Sequence, residues 1–263
     1  MSKLGFIGGG NMASAMIKGV LSNNPNADII VSDLNETILE KAKTNFGIQT
    51  TSDNKEVAKV AKILVLAVKP HFYETVIKEI KDFVNEETVV VAIAPGKTLE
   101  FLENNFGKKV KTVRTMPNTP AMVGQGMTAY CPNEYVTKEE LAQVVDFLNS
   151  FGKASQVTEK MIDAVVAVSG SSPAYVYMFI EALADGAVME GLPRDEAYKF
   201  AAQAVYGSAK MVLETGLHPA ALKDMVCSPG GTTIEAVRVL EENSFRGSIM
   251  NAMKANAEKS RNM

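Results

Sequence analysis

The sequence has very few of the residues from which disulfide frameworks, metal sites and histidine-based catalytic sites are built. Its 263 residues include two cysteines, two histidines and no tryptophan. Cys131 and Cys227 lie far apart in the sequence, so no disulfide framework is predicted. With only His71 and His218 beside them, a zinc site is not expected and no metal is predicted. A reducing compartment, the cytoplasm, is the expected location.

Charge and hydropathy argue against two further classes of protein. The net charge is −3, so nothing indicates a nucleic-acid partner. No apolar run reaches the length of a membrane span, and no association with a membrane is expected. The N-terminus enters a strand-like run at once, so we expect no signal peptide. Hydrophobic residues make up 46% of the chain, enough for one large domain or two medium ones.

Strand-like and helix-like runs alternate up to about residue 155. Strands are predicted at 3–7, 27–32, 61–68, 88–94 and 110–116, with a sixth at 127–131 on a sheet edge. Helices are predicted at 12–21, 36–45 and 74–83. This alternation is typical of βαβ units, so the predicted fold class is α/β with a doubly wound parallel sheet. We place this domain at residues 1–156.

The remaining residues, 157–263, are predicted to form an all-helical C-terminal domain. Helices are predicted at 160–168, 174–189, 194–215, 219–226, 232–241 and 245–260. Small residues are frequent in the two longest of these helices and suit close helix packing. A helical half too small for two good layers often completes its core with a second copy. This indicates a homodimer, with the interface in the helical half and the active site near it.

The front of the chain carries a glycine motif between a predicted strand and a predicted helix. Gly8, Gly10 and Ala13 fit the dinucleotide-binding fingerprint G-x-G-x-x-G/A. The first glycine permits a tight turn, and the second lets a pyrophosphate approach the backbone. An ordinary glycine-rich turn would explain a lone match, but the strand, the helix and a later acid favour a Rossmann domain. The predicted pyrophosphate contacts are Gly8, Gly9, Gly10, Asn11 and Met12.

Asp33 ends the second predicted strand, at about the spacing from the glycine motif expected for an acid that reads a ribose. A carboxylate there accepts a hydrogen bond from the ribose 2′-hydroxyl and repels a 2′-phosphate, which favours NAD over NADP. No Arg or Lys stands beside it, and only Ser32 could hold a phosphate there, weakly. The alternative is an Asp that only begins the next helix.

A second glycine-rich segment lies at the predicted start of a late helix. Gly230, Gly231, Thr232 and Thr233 leave several N–H donors free, a nest suited to a carboxylate. A plain Pro-Gly turn with a threonine cap is the alternative.

The other candidate residues are weaker. His71 stands alone, and no histidine lies near Cys227 in the sequence. Lys69 could be a catalytic ammonium, or part of a loop whose backbone follows the cofactor. The chain therefore offers no obvious histidine base for an alcohol substrate. Reduction of a cyclic iminium is less demanding, since it needs hydride delivery, orientation and perhaps a hydroxyl near nitrogen.

The segment Pro219–Glu241, which contains Cys-Ser-Pro-Gly-Gly-Thr-Thr at 227–233, resembles the signature of the pyrroline-5-carboxylate reductase family. Further stretches resemble that family: Phe-Ile-Gly-Gly-Gly-Asn-Met-Ala at 6–13, Ala-Val-Lys-Pro at 67–70, Met-Pro-Asn-Thr-Pro at 116–120, Val-Ser-Gly-Ser-Ser-Pro-Ala-Tyr at 168–175, Ala-Asp-Gly-Ala at 184–187, Gly-Leu-Pro-Arg at 191–194 and Gly-Ser-Ala-Lys at 207–210. The resemblance extends over essentially the whole chain.

The resemblance implies reduction of 1-pyrroline-5-carboxylate to L-proline, the last step of proline biosynthesis, with NADP(H) or NAD(H) as cofactor. It implies an interlocked homodimer, often assembled further into a decamer. It also implies hydride transfer from nicotinamide C4 to the imine carbon. Further cofactor contacts are implied at Asn54, Ala67, Val68, Lys69, Pro70, Ala94 and Gly96. Substrate contacts are implied at Glu159, Gly230, Gly231, Thr232 and Thr233, with Thr233 as the catalytic residue that places its hydroxyl at the ring nitrogen.

Two positions depart from the family pattern, and two other functions stay open. Many members have a basic or neutral residue at the position of Asp33. The usual Ala-Ala-Gly is Ala94-Pro95-Gly96 here, and Pro95 removes one N–H. A β-hydroxyacid dehydrogenase would need a catalytic lysine, for which Lys210 is the candidate. A non-catalytic redox sensor that binds a dinucleotide is the other alternative, and the intact nest at 230–233 argues against it.

Overall fold

The structure of the protein, a computed structural model, describes residues 3–261. Within this range eight strands form one sheet in the order β3-β2-β1-β4-β5-β6-β7-β8. The strands are β1 (Leu4–Ile7), β2 (Ile29–Ser32), β3 (Gln49–Thr51), β4 (Ile63–Leu66), β5 (Val89–Ala92), β6 (Lys111–Met116), β7 (Gly126–Pro132) and β8 (Gly152–Gln156).

Helices connect the strands and make up most of the chain after them. They are α1 (Asn11–Asn23), α2 (Glu36–Phe46), α3 (Asn54–Val60), α4 (Tyr73–Ile80), α5 (Leu99–Phe106), α6 (Lys138–Asn149), α7 (Ile162–Val165), α8 (Ser172–Met189), α9 (Arg194–Thr215), α10 (Pro219–Val226), α11 (Thr232–Glu242) and α12 (Phe245–Arg261). A single turn of π-helix at Val166–Gly170 joins α7 to the start of α8. No helix among residues 3–261 is both long and apolar enough to cross a membrane.

The strand order places β1 between β2 and β4. From β1 the chain moves outward to β3 and then returns to β4 on the other side, and all pairings from β3 across to β6 are parallel. The direction of winding therefore reverses between β1 and β4. In open sheets of this kind the ligand site lies outside the carboxyl ends of the strands at this switch point.

Both faces of the sheet are covered, which explains why its central strands are apolar throughout. Alternate residues such as Phe6 and Val65 pack against α1 and α6 on one face. The neighbouring residues, such as Ile7 and Leu66, pack against α3, α4 and α5 on the other face. Every residue of β1, β4 and β5 is buried, as expected for parallel strands between two helical layers.

The far edge of the sheet differs from the prediction. The strand predicted at 127–131 is β7, but it lies inside the sheet, and β8 forms the edge. β8 and β3 were missed because both are short, polar and partly exposed. β7 runs antiparallel to β6 because the short link 117–125 contains no crossover helix. α6 is such a crossover, so β8 is parallel to β7.

The chain divides into two compact units. The first comprises the chain up to Ser171 together with the segment from Asn256 onward, and the second comprises Ser172–Ala255. The sheet ends at Gln156, where the predicted domain boundary falls, and residues 157–171 belong to the first unit. In the second unit α8 packs on α9 around the small buried residues Ala184, Ala197 and Ala201.

Candidate active site

The glycine loop lies where the carboxyl ends of β1, β2 and β4 meet. Gly8 has φ +99°, and its N–H donates to the carbonyl oxygen of Ser32 at 2.7 Å. A Cβ on Gly8 would lie 2.7 Å from the carbonyl oxygen of Ala67. The turn therefore needs glycine both for its left-handed backbone and for the close approach of the loop that follows β4.

The start of α1 is open to a ligand. Gly10 is the N-cap residue and is exposed, and a Cβ placed on it would meet no atom of the described residues within 4 Å. The first hydrogen bond of the helix runs from the Ser14 N–H to the Gly10 carbonyl oxygen, so the N–H groups of Asn11, Met12 and Ala13 have no partner within the helix. Open space before several aligned N–H groups fits a pyrophosphate.

Asp33 is tied to the glycine loop. Its Oδ2 accepts from the Gly9 N–H at 2.8 Å, and its Oδ1 accepts from the Asn35 N–H at 2.9 Å. The N-cap of α2 is Asn35, whose side chain accepts from the Thr37 N–H at 3.0 Å. The Asp33 carboxylate therefore lies beside the glycine loop, and α2 is capped by Asn35 instead.

Ser32 and Asn54 face the interior together. Ser32 is fully buried, and its hydroxyl donates to Asn54 Oδ1 at 2.7 Å. The Asn54 amide in turn donates to Glu79 Oε2 at 2.9 Å. The Ser32 hydroxyl is thus engaged inside the protein, and Asn54 links the end of β2 to the first turn of α3 and to α4. The cofactor contacts predicted for these two side chains remain predictions.

Tyr73, which the sequence reasoning missed, joins the two loops after β4 and β5. Its buried hydroxyl donates to the Leu66 carbonyl oxygen at 2.5 Å and accepts from the N–H groups of Ile93 at 3.1 Å and Ala94 at 3.2 Å. Burial raises the pKa of this hydroxyl, and the two backbone N–H groups lower it to a smaller extent. The available signal was a tyrosine on the apolar face of an amphipathic helix, since a buried hydroxyl needs partners.

These two loops hold most of the remaining cofactor candidates. After β4, Ala67, Val68 and Pro70 are half-buried and Lys69 is exposed. After β5, Ala94 is buried and its N–H is taken by Tyr73, while Pro95 has none. Among the described residues, Gly96 is therefore the first position of that loop whose N–H is open to a ligand.

Glu159 is held by two groups of the first unit. Its Oε1 accepts from the Leu99 N–H at the start of α5, at 2.8 Å, and from Arg114 Nη1 at 3.0 Å. Arg114 on β6 is 4% exposed, and its Nε has no hydrogen-bond partner in the structure of residues 3–261. Burial raises the pKa of the nearby Cys131 thiol, the Glu159 carboxylate raises it further, and Arg114 lowers it.

The π-helical turn is fixed to the sheet by Asn118, another residue that the sequence reasoning did not single out. Its amide nitrogen donates to the carbonyl oxygen and the hydroxyl of Ser169, both at 3.2 Å. Its Oδ1 accepts from the Met127 N–H at 2.8 Å. Turns of π-helix are frequent at functional sites, and this one has a defined position relative to β7.

The turn and helix start predicted at 230–233 lie in the second unit. Gly230 has φ +67°, and the Gly231 N–H donates to the Ser228 carbonyl oxygen at 3.0 Å. Gly231 is the N-cap of α11, and no side chain of the described residues caps this helix. The N–H groups of its first turn, from Thr232 onward, are therefore free. Thr233 is half-buried and stands in that turn.

The other candidate residues have structural partners. Lys210 on α9 pairs with Glu214 at 3.5 Å and is 53% exposed. His218 caps α10, with its Nδ1 accepting from the Ala220 N–H at 3.2 Å. The His71 ring lies against Phe72, 4.1 Å between ring centroids. Within the described part of the chain, no group of three or more His, Cys, Asp or Glu could hold a metal ion.

A doubly wound sheet with an open glycine loop at its switch point, followed by a helical half, defines the class of dinucleotide-dependent oxidoreductases with a Rossmann domain. The comparisons with known proteins name the family within that class. Residues 159–263 match the family described as pyrroline-5-carboxylate reductase dimerisation, and residues 3–96 match the one described as NADP oxidoreductase coenzyme F420-dependent. The chain is 52% identical to the pyrroline-5-carboxylate reductase of Escherichia coli strain K12, over 98% of this chain and 97% of that one.

Solved structures agree with this result. A pyrroline-5-carboxylate reductase from Coxiella burnetii has a TM-score of 0.92 at 36% identity, covering 99% of this chain and 98% of its own. A pyrroline carboxylate reductase from Plasmodium falciparum, solved with NADP bound, has a TM-score of 0.89 at 36% identity, covering 99% and 97%. This chain belongs to the pyrroline-5-carboxylate reductase family.

Proposed function

We propose that this protein reduces 1-pyrroline-5-carboxylate to L-proline with NADPH or NADH, the last step of proline biosynthesis. The observation that carries the proposal is the free N-terminus of α11 at Gly231–Thr233, in a chain whose other end supplies an open glycine loop. The nest suits the carboxylate of the substrate, and the glycine loop suits the pyrophosphate of a dinucleotide. Membership of the reductase family supports both assignments.

The cofactor residues lie in the first unit. The N–H groups at the start of α1 hold the pyrophosphate, and the loops after β4 and β5 hold the nicotinamide half, with Tyr73 fixing their separation. When bound, the reduced nicotinamide supplies a hydride for the imine carbon. We also assign cofactor contacts to Asp33, which follows β2, and to Asn54, the first residue of α3.

The substrate residues bind and orient the pyrroline ring. The N–H groups at the start of α11, from Thr232 onward, bind the carboxylate and so set which face of the ring is presented. The Thr233 hydroxyl hydrogen-bonds to the ring nitrogen, which changes from an iminium to an amine as the carbon–nitrogen double bond is reduced. A neutral hydroxyl suffices here because a protonated cyclic imine is already electrophilic. We retain Glu159 as a substrate residue, and its contacts to Leu99 and Arg114 define its position.

We further propose that the helical half, 157–263, makes an interlocked homodimer and that dimers assemble into a decamer in the cytoplasm. The helical half matches a dimerisation family, and large apolar side chains such as Met178, Phe200 and Leu213 are exposed in the second unit. Large apolar side chains left exposed in this number support an interface. Cys131 and Cys227 are free thiols, as is usual in a reducing compartment.

One assay separates this proposal from the two alternatives. Oxidation of NADH and NADPH by the purified protein is followed with 1-pyrroline-5-carboxylate. In parallel, reduction of NAD⁺ and NADP⁺ is followed with a panel of β-hydroxyacids. We expect turnover with the pyrroline alone. Turnover with a hydroxyacid would establish a β-hydroxyacid dehydrogenase, and cofactor binding without any turnover would establish a sensor.

A further inference from the structure

The loop between β2 and α2 has its polar side chains engaged within the protein. The Asn35 side chain caps α2, and the Ser32 hydroxyl donates to Asn54 in the interior. Both Asp33 oxygens accept backbone N–H groups. This loop follows the strand next to the glycine loop, where a Rossmann domain binds the ribose of the adenosine half. Each oxygen of a carboxylate can accept a second hydrogen bond. Asp33 is therefore the side chain of the loop that can still accept from the ribose.

The two hydrogen bonds of Asp33 fix the position of its carboxylate. Two N–H groups face two oxygens of one side chain, and only a carboxylate accepts on both. An asparagine would have to turn an NH₂ group toward one of these donors. The bond from Gly9 also keeps the carboxylate against the glycine loop, at 2.8 Å. A 2′-phosphate on the adjacent ribose would meet this negative charge.

Nothing in the same segment offers a counter-charge. No Lys or Arg occurs between Lys18 and Lys41 in the sequence. On α3, whose first residue contacts Ser32, the Lys55 ammonium lies over the Phe83 ring at 5.8 Å from its centroid. Leu34, directly after the acid, is 88% exposed. An apolar, exposed residue there suits the flat adenine face and has no donor for a phosphate.

We propose that this protein selects NADH over NADPH and that Asp33 is the residue that determines this specificity. The inference rests on the proposed function and narrows its cofactor. The carboxylate accepts from the ribose 2′-hydroxyl of NADH, and it repels the 2′-phosphate of NADPH. The NADP seen in the Plasmodium falciparum relative belongs to that protein, and this chain has its own set of residues at the adenosine end.

The test is equilibrium binding without substrate, followed by the change in nicotinamide fluorescence as NADH or NADPH is added to the purified protein. We expect Kd for NADPH to exceed Kd for NADH by about tenfold to a hundredfold, the range of one unfavourable like-charge contact. Asp33→Asn should reduce this ratio to about threefold or less, because the charge is gone. Leu34→Arg should lower Kd for NADPH alone, since it adds a cation.

Glu40→Gln is the matched control. It removes the same charge from an exposed residue in the second turn of α2. It should leave the ratio of the two Kd values unchanged. If Asp33 only positions the glycine loop, Asp33→Asn weakens both cofactors equally and the ratio stays constant, which overturns the inference. Equal or tighter binding of NADPH by the unaltered protein also overturns it.

Failure of the proposed function gives a different result. If NADH binds tightly and selectively but is not oxidised by 1-pyrroline-5-carboxylate, the reaction is wrong and the cofactor inference is supported. If the pyrroline is reduced equally well with both cofactors and both bind equally, the reaction stands and the inference is overturned.

Discussion

The position of Thr233 in α11 distinguishes between two possible roles of its hydroxyl, contact with the substrate and capping of the helix. The N-cap of the helix is Gly231, so the Thr233 hydroxyl stands two residues too late to cap it. The alternative left open by the sequence, a threonine that only caps the helix, therefore loses its physical basis at this residue. Its hydroxyl is free to meet whatever the first-turn N–H groups bind.

We expect Thr233→Ala to lower kcat by about tenfold to a thousandfold, the range for one lost polar contact at a reacting centre. The effect on KM should be smaller, because the bond strengthens as the nitrogen becomes an amine. Thr233→Ser keeps the hydroxyl and should keep most of the activity. Steady-state kinetics and melting temperature are measured on both variants. A stable Thr233→Ala protein with near-normal kcat would show that the hydroxyl has no catalytic role.

The Arg114–Glu159 pair combines a buried cation with a carboxylate that is 32% exposed. Glu159→Gln keeps an oxygen for the Leu99 N–H but leaves the Arg114 charge unpaired. We expect a loss of about 1–3 kcal/mol in the free energy of unfolding, below the usual cost for a fully buried pair because Glu159 is partly solvated. Urea denaturation at neutral pH measures this change.

A double variant decides why the stability falls. In Arg114→Met with Glu159→Gln no buried charge remains, so the double variant should be less destabilised than the sum of the two single variants. If Glu159→Gln unfolds like the unaltered protein but has a raised KM for the pyrroline, the carboxylate acts on substrate and the structural account is wrong.

At the scale of elements, β4 and β5 separate just beyond their last paired residues, Leu66 and Ala92. The Tyr73 hydroxyl from α4 bridges the gap, because it satisfies one carbonyl oxygen and two N–H groups that the separated strands leave unpaired. A helix side chain thus replaces the hydrogen bonds of the sheet where the loops after β4 and β5 begin. The separation of these two loops depends on this contact.

Tyr73→Phe keeps the ring and removes the bridge. We expect a loss of about 2–4 kcal/mol in the free energy of unfolding, since three buried backbone groups lose their partner. The KM for the cofactor should rise more than the KM for the pyrroline. Tyr135→Phe is the control, because its hydroxyl lies on the surface, where it donates to Glu103 Oε1 at 3.2 Å. Its effect should stay within about 0.5 kcal/mol. Equal stability of the two variants would contradict the proposed bridge.

At the scale of the whole molecule, the second unit has too little core of its own. Its buried cluster consists of three alanines, and α10 and α11 have no buried residue. α8 is largely apolar, with Glu181 and Asp185 as its charged residues, and Met178 is 68% exposed. Large exposed apolar side chains of this kind mark an interaction surface. This agrees with the match of residues 159–263 to a dimerisation family.

We expect Met178→Glu, and separately Leu213→Glu, to weaken self-association and to abolish reduction of the pyrroline. NADH binding should persist, because the cofactor residues lie in the first unit. Multi-angle light scattering and the fluorescence titration measure the two properties on the same sample. The control is Val60→Glu, which adds the same charge at a 42% exposed apolar residue of α3. A fully active monomer at assay concentration would disprove the requirement for a second copy.

The sequence by itself determined the features that follow from short-range pattern. Helices α9 and α10 have the predicted bounds, and the apolar runs at β1, β4 and β5 are the buried strands, because continuous burial requires continuous apolar residues. The glycine motif and the Gly-Gly-Thr-Thr segment identified two helix starts that no side chain within residues 3–261 caps, α1 and α11. The first N–H groups of a helix have no partner within it, so a glycine N-cap leaves them open. The resemblance of the same segments to the reductase family was confirmed by the comparisons.

Only the tertiary structure decided which polar groups meet. Gly9 with Asp33 and Ser32 with Asn54 are pairs between distant positions, and each forms because neighbouring strands bring their ends to one edge of the sheet. Arg114 on β6 meets Glu159, which follows β8, two strands away in the sheet. The polar strands β3 and β8 form because the sheet supplies backbone partners, with no pattern of their own to predict them. Tyr73 shows the same physics within the core. Its sequence position indicates burial, but its role depends on two strand ends that separate around its hydroxyl.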